Sequence, residues 1–271
     1  MYQLGVIVRV CLASLLLFSS ALQAQQVAST AAATAPLPSP FLWRTLAVTT
    51  GGQRIQSAII AGNITIFGIA ANTGSTFSFS AYNNGETQLS IGTGAGESRT
   101  VSGGVPSGTG IGPGGVTYPV NSQNPMNISA WFFPALDIDS RLVAKEYAKT
   151  YVGRETKDGH TVNHIQMWEQ ANGATATAAS GVKAVSLEDI YVDEMSHLPV
   201  VVAFSLHLAG GPSPTVPVEI HFSDYQTVQN CPVARNIQVD VLGVPFWSIQ
   251  FSSVTLSFVR ASATSASSQL Q

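Results

Sequence analysis

Two histidines lie four residues apart in a stretch of alternating polarity. On a helix, the spacing of His160 and His164 would place both imidazoles on one face, where they could ligate zinc. The surrounding pattern predicts strands instead, and residues four apart along a strand are separated by about 13 Å. Because one zinc ion cannot bridge that distance, we interpret both histidines as ordinary polar strand positions and predict no metal site.

Two pairs of carboxylates are candidates for general acid–base catalysis. Asp137 with Asp139, and Asp193 with Glu194, are close in sequence, but such catalysis needs carboxyl groups that face each other in a cleft. Spacing alone does not provide that arrangement. We therefore interpret the first pair as helix-capping residues and the second pair as solvated turn residues.

Cys231 is a candidate nucleophile in the stretch Ile220 to Val239. Its sequence neighbours are Asn230 and Pro232, which offer neither a base nor a positive charge. We predict a bystander thiol in a chain reversal over 226–232, with Asp224 bonding backbone amides of the turn. The sequence has no Gly-x-Ser-x-Gly, Ser/Lys or His-Glu-x-x-His pattern, so we predict no catalytic residues, no cofactor and no enzyme activity.

Both ends of the chain are predicted to lie outside the folded domain. Residues 1–24 combine a basic start, an apolar run from Val10 to Leu17 and a small-residue exit, as in a cleaved signal peptide. The run is shorter than the roughly 20 residues of a membrane span, and Cys11 precedes LASLLLF, unlike a lipid-anchor cysteine. We predict a periplasmic or secreted protein with a flexible linker at 25–40, one domain at 41–260, a disordered tail at 261–271, and no integral membrane segment after signal removal.

Composition excludes two classes of protein. Of 271 residues, 45% are hydrophobic and 10% are charged, which is too apolar for a wholly disordered chain. Without Arg9 in the signal, 11 basic and 15 acidic residues leave a net charge of -4. With no basic patch, the chain is not expected to bind nucleic acid.

The predicted domain is mostly antiparallel strands with a few covering helices. A short helix places Phe41, Leu42, Leu46 and Ala47 on one face before Gly51-Gly52. Hairpin turns are predicted at Asn83-Asn84-Gly85, at Asp158-Gly159 and over 194–199. The glycine-rich stretch 98–118 lacks a strand-to-helix context, so we interpret it as a flexible hairpin or loop rather than a phosphate-binding loop.

A second helical region is predicted between the two groups of strands. Pro125 starts it, and Pro134 kinks or ends it. A second helical piece would then include Leu142, Val143 and Tyr147.

Three stretches of the C-terminal half resemble a known strand pattern. They are IYVDEMSHLPVVVAFSL, VEIHFSDYQTVQNCPVARNIQV and FWSIQFSSVTLS, and the pattern is that of LolA-like, outer-membrane lipoprotein-sorting proteins. The match covers roughly Thr150 to Phe258, and 59–89 fits the early strands loosely. The resemblance implies a strongly curved antiparallel sheet, an incomplete barrel, with short helices over its concave face. It also implies a hollow that holds acyl chains, and no catalytic residue.

We therefore predict a non-catalytic exported protein that binds a lipid or lipoprotein acyl chain between sheet and helices. The candidate lining residues, each also compatible with a dry core, are Phe77, Phe79, Met126, Trp131, Phe132, Phe133, Leu136, Met167 and Phe204. One alternative is a structural or interaction module that binds envelope proteins through a sheet edge or the glycine-rich stretch. A third hypothesis is a secreted hydrolase on a β scaffold.

Overall fold

The predicted strands form one antiparallel sheet that is not closed into a barrel. A computed structural model describes residues 38–67, 74–92, 95–102, 105–111, 116–120, 132–171, 173–207 and 215–259. The predicted signal peptide, nearly all of the linker and the C-terminal tail lie outside these ranges. All described residues belong to one compact unit.

Thirteen strands and three helices are present within the described ranges. The helices are α1 (Pro38–Thr49), α2 (Pro134–Val143) and α3 (Ala176–Ser186). The strands are β1 (Ile55–Ile66), β2 (Gly74–Tyr82), β3 (Thr87–Ile91), β4 (Ala95–Ser102), β5 (Val105–Ile111), β6 (Thr117–Val120), β7 (Tyr147–Lys157), β8 (His160–Glu169), β9 (Glu188–Asp193), β10 (Pro199–His207), β11 (Thr215–Val228), β12 (Cys231–Val241) and β13 (Val244–Phe258). Their order in the sheet is β6-β5-β4-β3-β2-β1-β13-β12-β11-β10-β9-β8-β7.

The sheet is strongly curved, and its concave face contains most of the hydrophobic core. Alternation in the sequence determines which side chains face inward: Phe77, Phe79 and Ala81 of β2 are buried, whereas Ser78 and Tyr82 are exposed. Helices α1 and α2 cover this concave face, so the predicted fold class is confirmed. We call the opposite side of the sheet the outer face.

Two tight turns have the chemistry that their sequences predict, and a third connection lies where it was predicted. Asn83-Asn84-Gly85 connects β2 to β3, with the amide of Gly85 donating to the carbonyl of Tyr82. Asp158-Gly159 connects β7 to β8 with φ angles of 51° and 78°, the left-handed pair that suits a hairpin. The predicted 194–199 turn also lies where expected, between β9 and β10.

The reversal predicted over 226–232 is shorter than expected. Only Gln229 and Asn230 form the turn, with φ angles of 50° and 68°, while Cys231 and Pro232 already belong to β12. Asp224 does not bond turn amides as predicted; it has a φ of 53° and accepts a hydrogen bond from the Gln226 side chain.

The described residues of the glycine-rich stretch form a hairpin, one of the two forms predicted. Residues 98–102 belong to β4, 105–111 to β5 and 117–118 to β6, and these strands extend one side of the sheet. Pairing with the neighbouring strand outweighs the low β propensity of glycine here.

The helices differ from prediction at particular residues. In α1, Thr45 and Thr49 share the buried face with Leu42 and Leu46, whereas Ala47 is exposed. The Thr49 hydroxyl donates to the Thr45 carbonyl, which makes its burial tolerable.

Pro134 begins a helix instead of ending one. It is the first residue of α2, where its missing amide proton costs nothing. Leu142 and Val143 lie in α2 as predicted, but Tyr147 begins β7.

The centre of the sheet depends on a close approach between β1 and β13. Gly62 pairs with Phe251 and Ala61 with Ser253, so Ser252 is an extra residue that makes a bulge. A Cβ atom at Gly62 would lie 2.1 Å from the carbonyl oxygen of Gln250. Only glycine fits this position without moving the backbone of β13.

We expect Gly62→Ala to lower the free energy of unfolding by about 3 kcal/mol, because the backbone of the central strand pair must shift. The matched control is Gly181→Ala in α3, where an added Cβ meets no atom within 4 Å. That change should raise stability by about 0.5–1 kcal/mol through helix propensity. Urea unfolding measures both, and equal effects of the two substitutions would contradict the packing argument.

Candidate functional site

The described lining residues lie in the hydrophobic core between the helices and the concave face. Seven of the nine are described, and all seven belong to a single buried cluster: Phe77, Phe79, Phe132, Phe133, Leu136, Met167 and Phe204. Met126 and Trp131 lie outside the described residues. The seven side chains therefore belong to the main hydrophobic core of the domain, and their role in binding stays a prediction.

Phe132 makes an aromatic contact between the helical layer and the sheet. Its ring centroid lies 5.1 Å from that of Phe77 and 4.6 Å from that of Phe79, with the rings tilted by 55° and 52°. Phe77 in turn stacks on Phe251 of β13 at 6.0 Å. Tilted pairs at these distances stabilise beyond the area that they bury.

A small cleft opens at the N-terminal end of α2. It is lined by Thr49, Phe132, Phe133, Pro134, Ala135, Tyr225, Pro232, Val233 and Ala234. Its volume is about 10 Å³, which is room for about one water molecule. Tyr225 at its edge donates a hydrogen bond to the Pro199 carbonyl at 2.6 Å, and burial raises the pKa of its phenol.

Solved structures share this arrangement of sheet and helices. A domain from Vibrio parahaemolyticus, described as an outer membrane lipoprotein-sorting protein, has a TM-score of 0.53 at 9% identity, with 81% of this chain and 92% of that chain covered. A DUF1329 family protein from Desulfovibrio piger has a TM-score of 0.53 at 12% identity, with 82% and 94% covered. A LolA superfamily protein from Nitrosomonas europaea has a TM-score of 0.50 at 11% identity, with 83% and 96% covered.

The fold is LolA-like. This confirms the resemblance drawn from the C-terminal strands, and it extends over most of the chain. No protein-family model and no curated protein sequence matches. Within the described residues no helix is long and apolar enough to cross a membrane.

A buried ionic triad connects α2 to the sheet of the LolA-like fold. Arg141 lies 3.1 Å from Asp137, one helical turn away, and 2.5 Å from Glu188 of β9. All three side chains are less than 5% exposed. Asp137 lies inside α2, whose N-cap is Phe133, so its interpretation as a capping residue was wrong. Asp139 is not a cap either; it lies 3.6 Å from Arg54.

Burial raises the pKa of both carboxyl groups of the triad. Burial and the neighbouring Asp137 charge raise the pKa of Glu188 well above its ordinary 4.5. Burial also raises the pKa of Asp137, although Arg141 and the hydrogen bond from Glu188 oppose the rise. Burial disfavours the Arg141 cation, but the two carboxyls raise its pKa and keep it charged.

The remaining sequence candidates form local pairs on the outer face. His160 bonds Asp193 at 2.9 Å, and His164 bonds Asp189 at 2.6 Å. Asp193, the last residue of β9, accepts bonds from the amides of Met195 and Ser196 in the turn that follows. Among the described residues no three His, Cys, Asp or Glu side chains come together as metal ligands.

Cys231 is buried at the start of β12. Its thiol contacts the Gln229 carbonyl at 3.8 Å, and burial raises its pKa above the ordinary value. A raised pKa keeps the group as the less nucleophilic thiol at neutral pH.

The triad predicts an unusual dependence of stability on pH. Because the pKa of Glu188 is raised in the folded state, the folded chain binds more protons than the unfolded chain above about pH 4.5. The free energy of unfolding should then fall as pH rises through the raised pKa. Glu188→Gln keeps the shape of the side chain but has no carboxyl proton to lose, so this fall should disappear.

Urea unfolding of wild type and Glu188→Gln from pH 4.5 upward measures the effect. Glu194→Gln is the control, since Glu194 pairs with Arg154 at the solvent-exposed surface, and should change stability by at most about 0.5 kcal/mol. Identical pH slopes for wild type and Glu188→Gln would show that the triad holds no extra proton.

Proposed function

We propose that this protein is a non-catalytic carrier that binds the acyl chain of a lipid or lipoprotein between the concave face and helices α1 and α2. One observation carries the proposal: the concave face of an open sheet is apolar, and described helices rather than a second sheet cover it. A helix held on such a face by side-chain packing can be displaced by another apolar chain. The lipoprotein-sorting description of the Vibrio protein with this fold supports the same chemistry.

The two ends of α2 indicate where a chain would enter. The C-terminal part of the helix is fixed to β9 by Arg141 and Glu188, and breaking a buried ion pair costs about 3–5 kcal/mol. The N-terminal end, at Phe133 and Pro134, borders the small cleft and is held by apolar packing. When that packing opens, the ligand replaces it, at about 0.8 kcal/mol for each methylene that it buries. Entry is therefore proposed beneath Phe132, with the triad intact.

The proposed place of action is the cell envelope. Residues 1–24 have the pattern of an export signal, and a periplasmic or secreted carrier could receive lipid from a membrane or from another envelope protein. Binding needs neither a metal nor a cofactor, because the site consists of apolar side chains.

We expect protein purified from an envelope fraction to retain lipid, detected by native mass spectrometry and by lipid extraction. Phe132→Ala should lower the free energy of unfolding by about 3–5 kcal/mol, because it leaves a cavity between Phe77 and Phe79. Palmitate or a single-chain phospholipid should restore part of this loss by filling the cavity. Thermal unfolding with and without lipid measures the recovery.

Tyr82→Ala is the matched control for this experiment. Tyr82 is an aromatic residue of the same strand as Phe77, but it faces outward and is 41% exposed. Removal of the Tyr82 ring should lower the free energy of unfolding only slightly. Added lipid should stabilise the Tyr82→Ala variant no more than it stabilises wild type. Two results together would refute the carrier proposal: the purified protein contains no lipid, and added lipid stabilises neither wild type nor Phe132→Ala. A co-purifying protein partner would then favour an interaction module.

A further inference from the structure

The turn between β12 and β13 differs in chemistry from three other tight turns of the sheet. Those turns are polar, with Asn83-Asn84-Gly85, Asp158-Gly159 and Gln229-Asn230, whereas this one is Leu242-Gly243. Leu242 has a φ of 56°, a left-handed conformation that favours Asn, Asp or Gly and is strained for leucine. Leu242 is also 47% exposed, so burial in the core does not explain its presence.

Apolar side chains continue beyond the turn. Val244 is 63% exposed and Phe246 is 37% exposed, and the Phe246 ring stacks on Trp247 with centroids 5.3 Å apart. From Val241 to Val259 the sequence contains no charged residue. We call Leu242, Gly243, Val244, Pro245 and Phe246 the apolar tip.

The apolar tip is firmly attached to the sheet. The amide of Leu242 donates to the Pro217 carbonyl, and the amide of Phe67 donates to the Phe246 carbonyl. Trp247 packs against the main core and pairs with Ile66 of β1. These bonds tie the tip to its neighbouring strands, and a Cβ added at Gly243 would meet no atom within 4 Å. Strain and exposure that the fold does not need are typical of a functional surface.

We propose that the apolar tip inserts into the surface of a lipid bilayer and docks the protein there. A stable protein interface needs about 800 Å² on each partner, and one two-residue turn with three exposed apolar side chains is much smaller than that. Insertion of a few side chains between lipid head groups needs no such area. Phe and Trp at the base of the tip suit the boundary between hydrocarbon and head groups. The absence of charge in this part of the sequence indicates insertion by apolar burial and not attraction to anionic lipid.

Docking through the apolar tip is independent of lipid binding under α2, because the tip is a separate surface of the molecule. Docking leaves protein attached to vesicles, whereas carrier activity leaves lipid attached to soluble protein. The two outcomes are measured in the pellet and in the supernatant of the same sedimentation experiment.

The test uses the full-length mature chain and vesicles of phosphatidylcholine, which have no net charge. Wild type should sediment with the vesicles equally at low and high salt. Leu242→Asn should weaken that association about tenfold, since one leucine no longer enters hydrocarbon. The same substitution creates an Asn-Gly turn, the favoured sequence for this hairpin, so its unfolding temperature should not fall. Phe246→Ser should weaken the association by a similar factor.

Met195→Asn is the matched control. Met195 is 91% exposed in the turn between β9 and β10, and antiparallel connectivity places that turn at the opposite end of the sheet from the β12–β13 turn. The Met195→Asn variant should bind vesicles as wild type does. Three results would overturn the proposal: no sedimentation of wild type, sedimentation only with anionic vesicles at low salt, or equal loss in Leu242→Asn and Met195→Asn.

Discussion

The pairing of β1 with β13 is the contact on which the rest of the structure depends. Strand order is linear, and this pair joins β1–β6 to β7–β13. Without it there would be two smaller sheets, and neither would present the complete concave face. The partners come from opposite ends of the folded domain, but the entropic cost of closing so long a loop rises only slowly with its length. The bulge at Ser252 and the glycine at position 62 let the two backbones approach within that pair.

A joined, open sheet imposes the next constraint, because its apolar concave face must be covered. Helix α2 covers it with two different kinds of contact: aromatic packing near its start and a buried ionic triad near its end. Such a triad adds little net stability compared with apolar residues of the same size. It does fix the orientation of α2, because any movement that separates the partners leaves a buried charge without its counter-charge. The C-terminal part of α2 is thus held by ionic contacts. Its N-terminal end is held by apolar packing, which an apolar ligand could replace. This asymmetry is the physical basis for binding at the Phe132 end.

Local patterns in the sequence predicted much of this architecture, and long-range contacts account for most of what they missed. Alternation placed Phe77 and Phe79 inward, and Asp158-Gly159 marked its hairpin, because both signals are local. The triad was missed since Asp137 and Glu188 belong to different elements. One signal was nevertheless present: Glu188 has the same strand parity as the buried Ile190 and Val192. The strands of the glycine-rich stretch had no such signal, because neighbouring strands and not their own side chains stabilise them.

The outer face shows how curvature and charge are connected. In the sheet, β8, β9 and β10 separate β7 from β11, a spacing of roughly 19 Å for flat strands. Yet Asp158 lies 2.6 Å from His221 and Lys157 lies 2.8 Å from Glu219. The β7–β8 hairpin must therefore bend over the outer face, and the register shift at Gly153 permits that bend. Beneath it lies a second small core of Val162, Val200 and Val201 with Tyr191 against it. Charged residues concentrate where this hairpin closes the outer face, which leaves the uncharged β13 side with the exposed apolar surface.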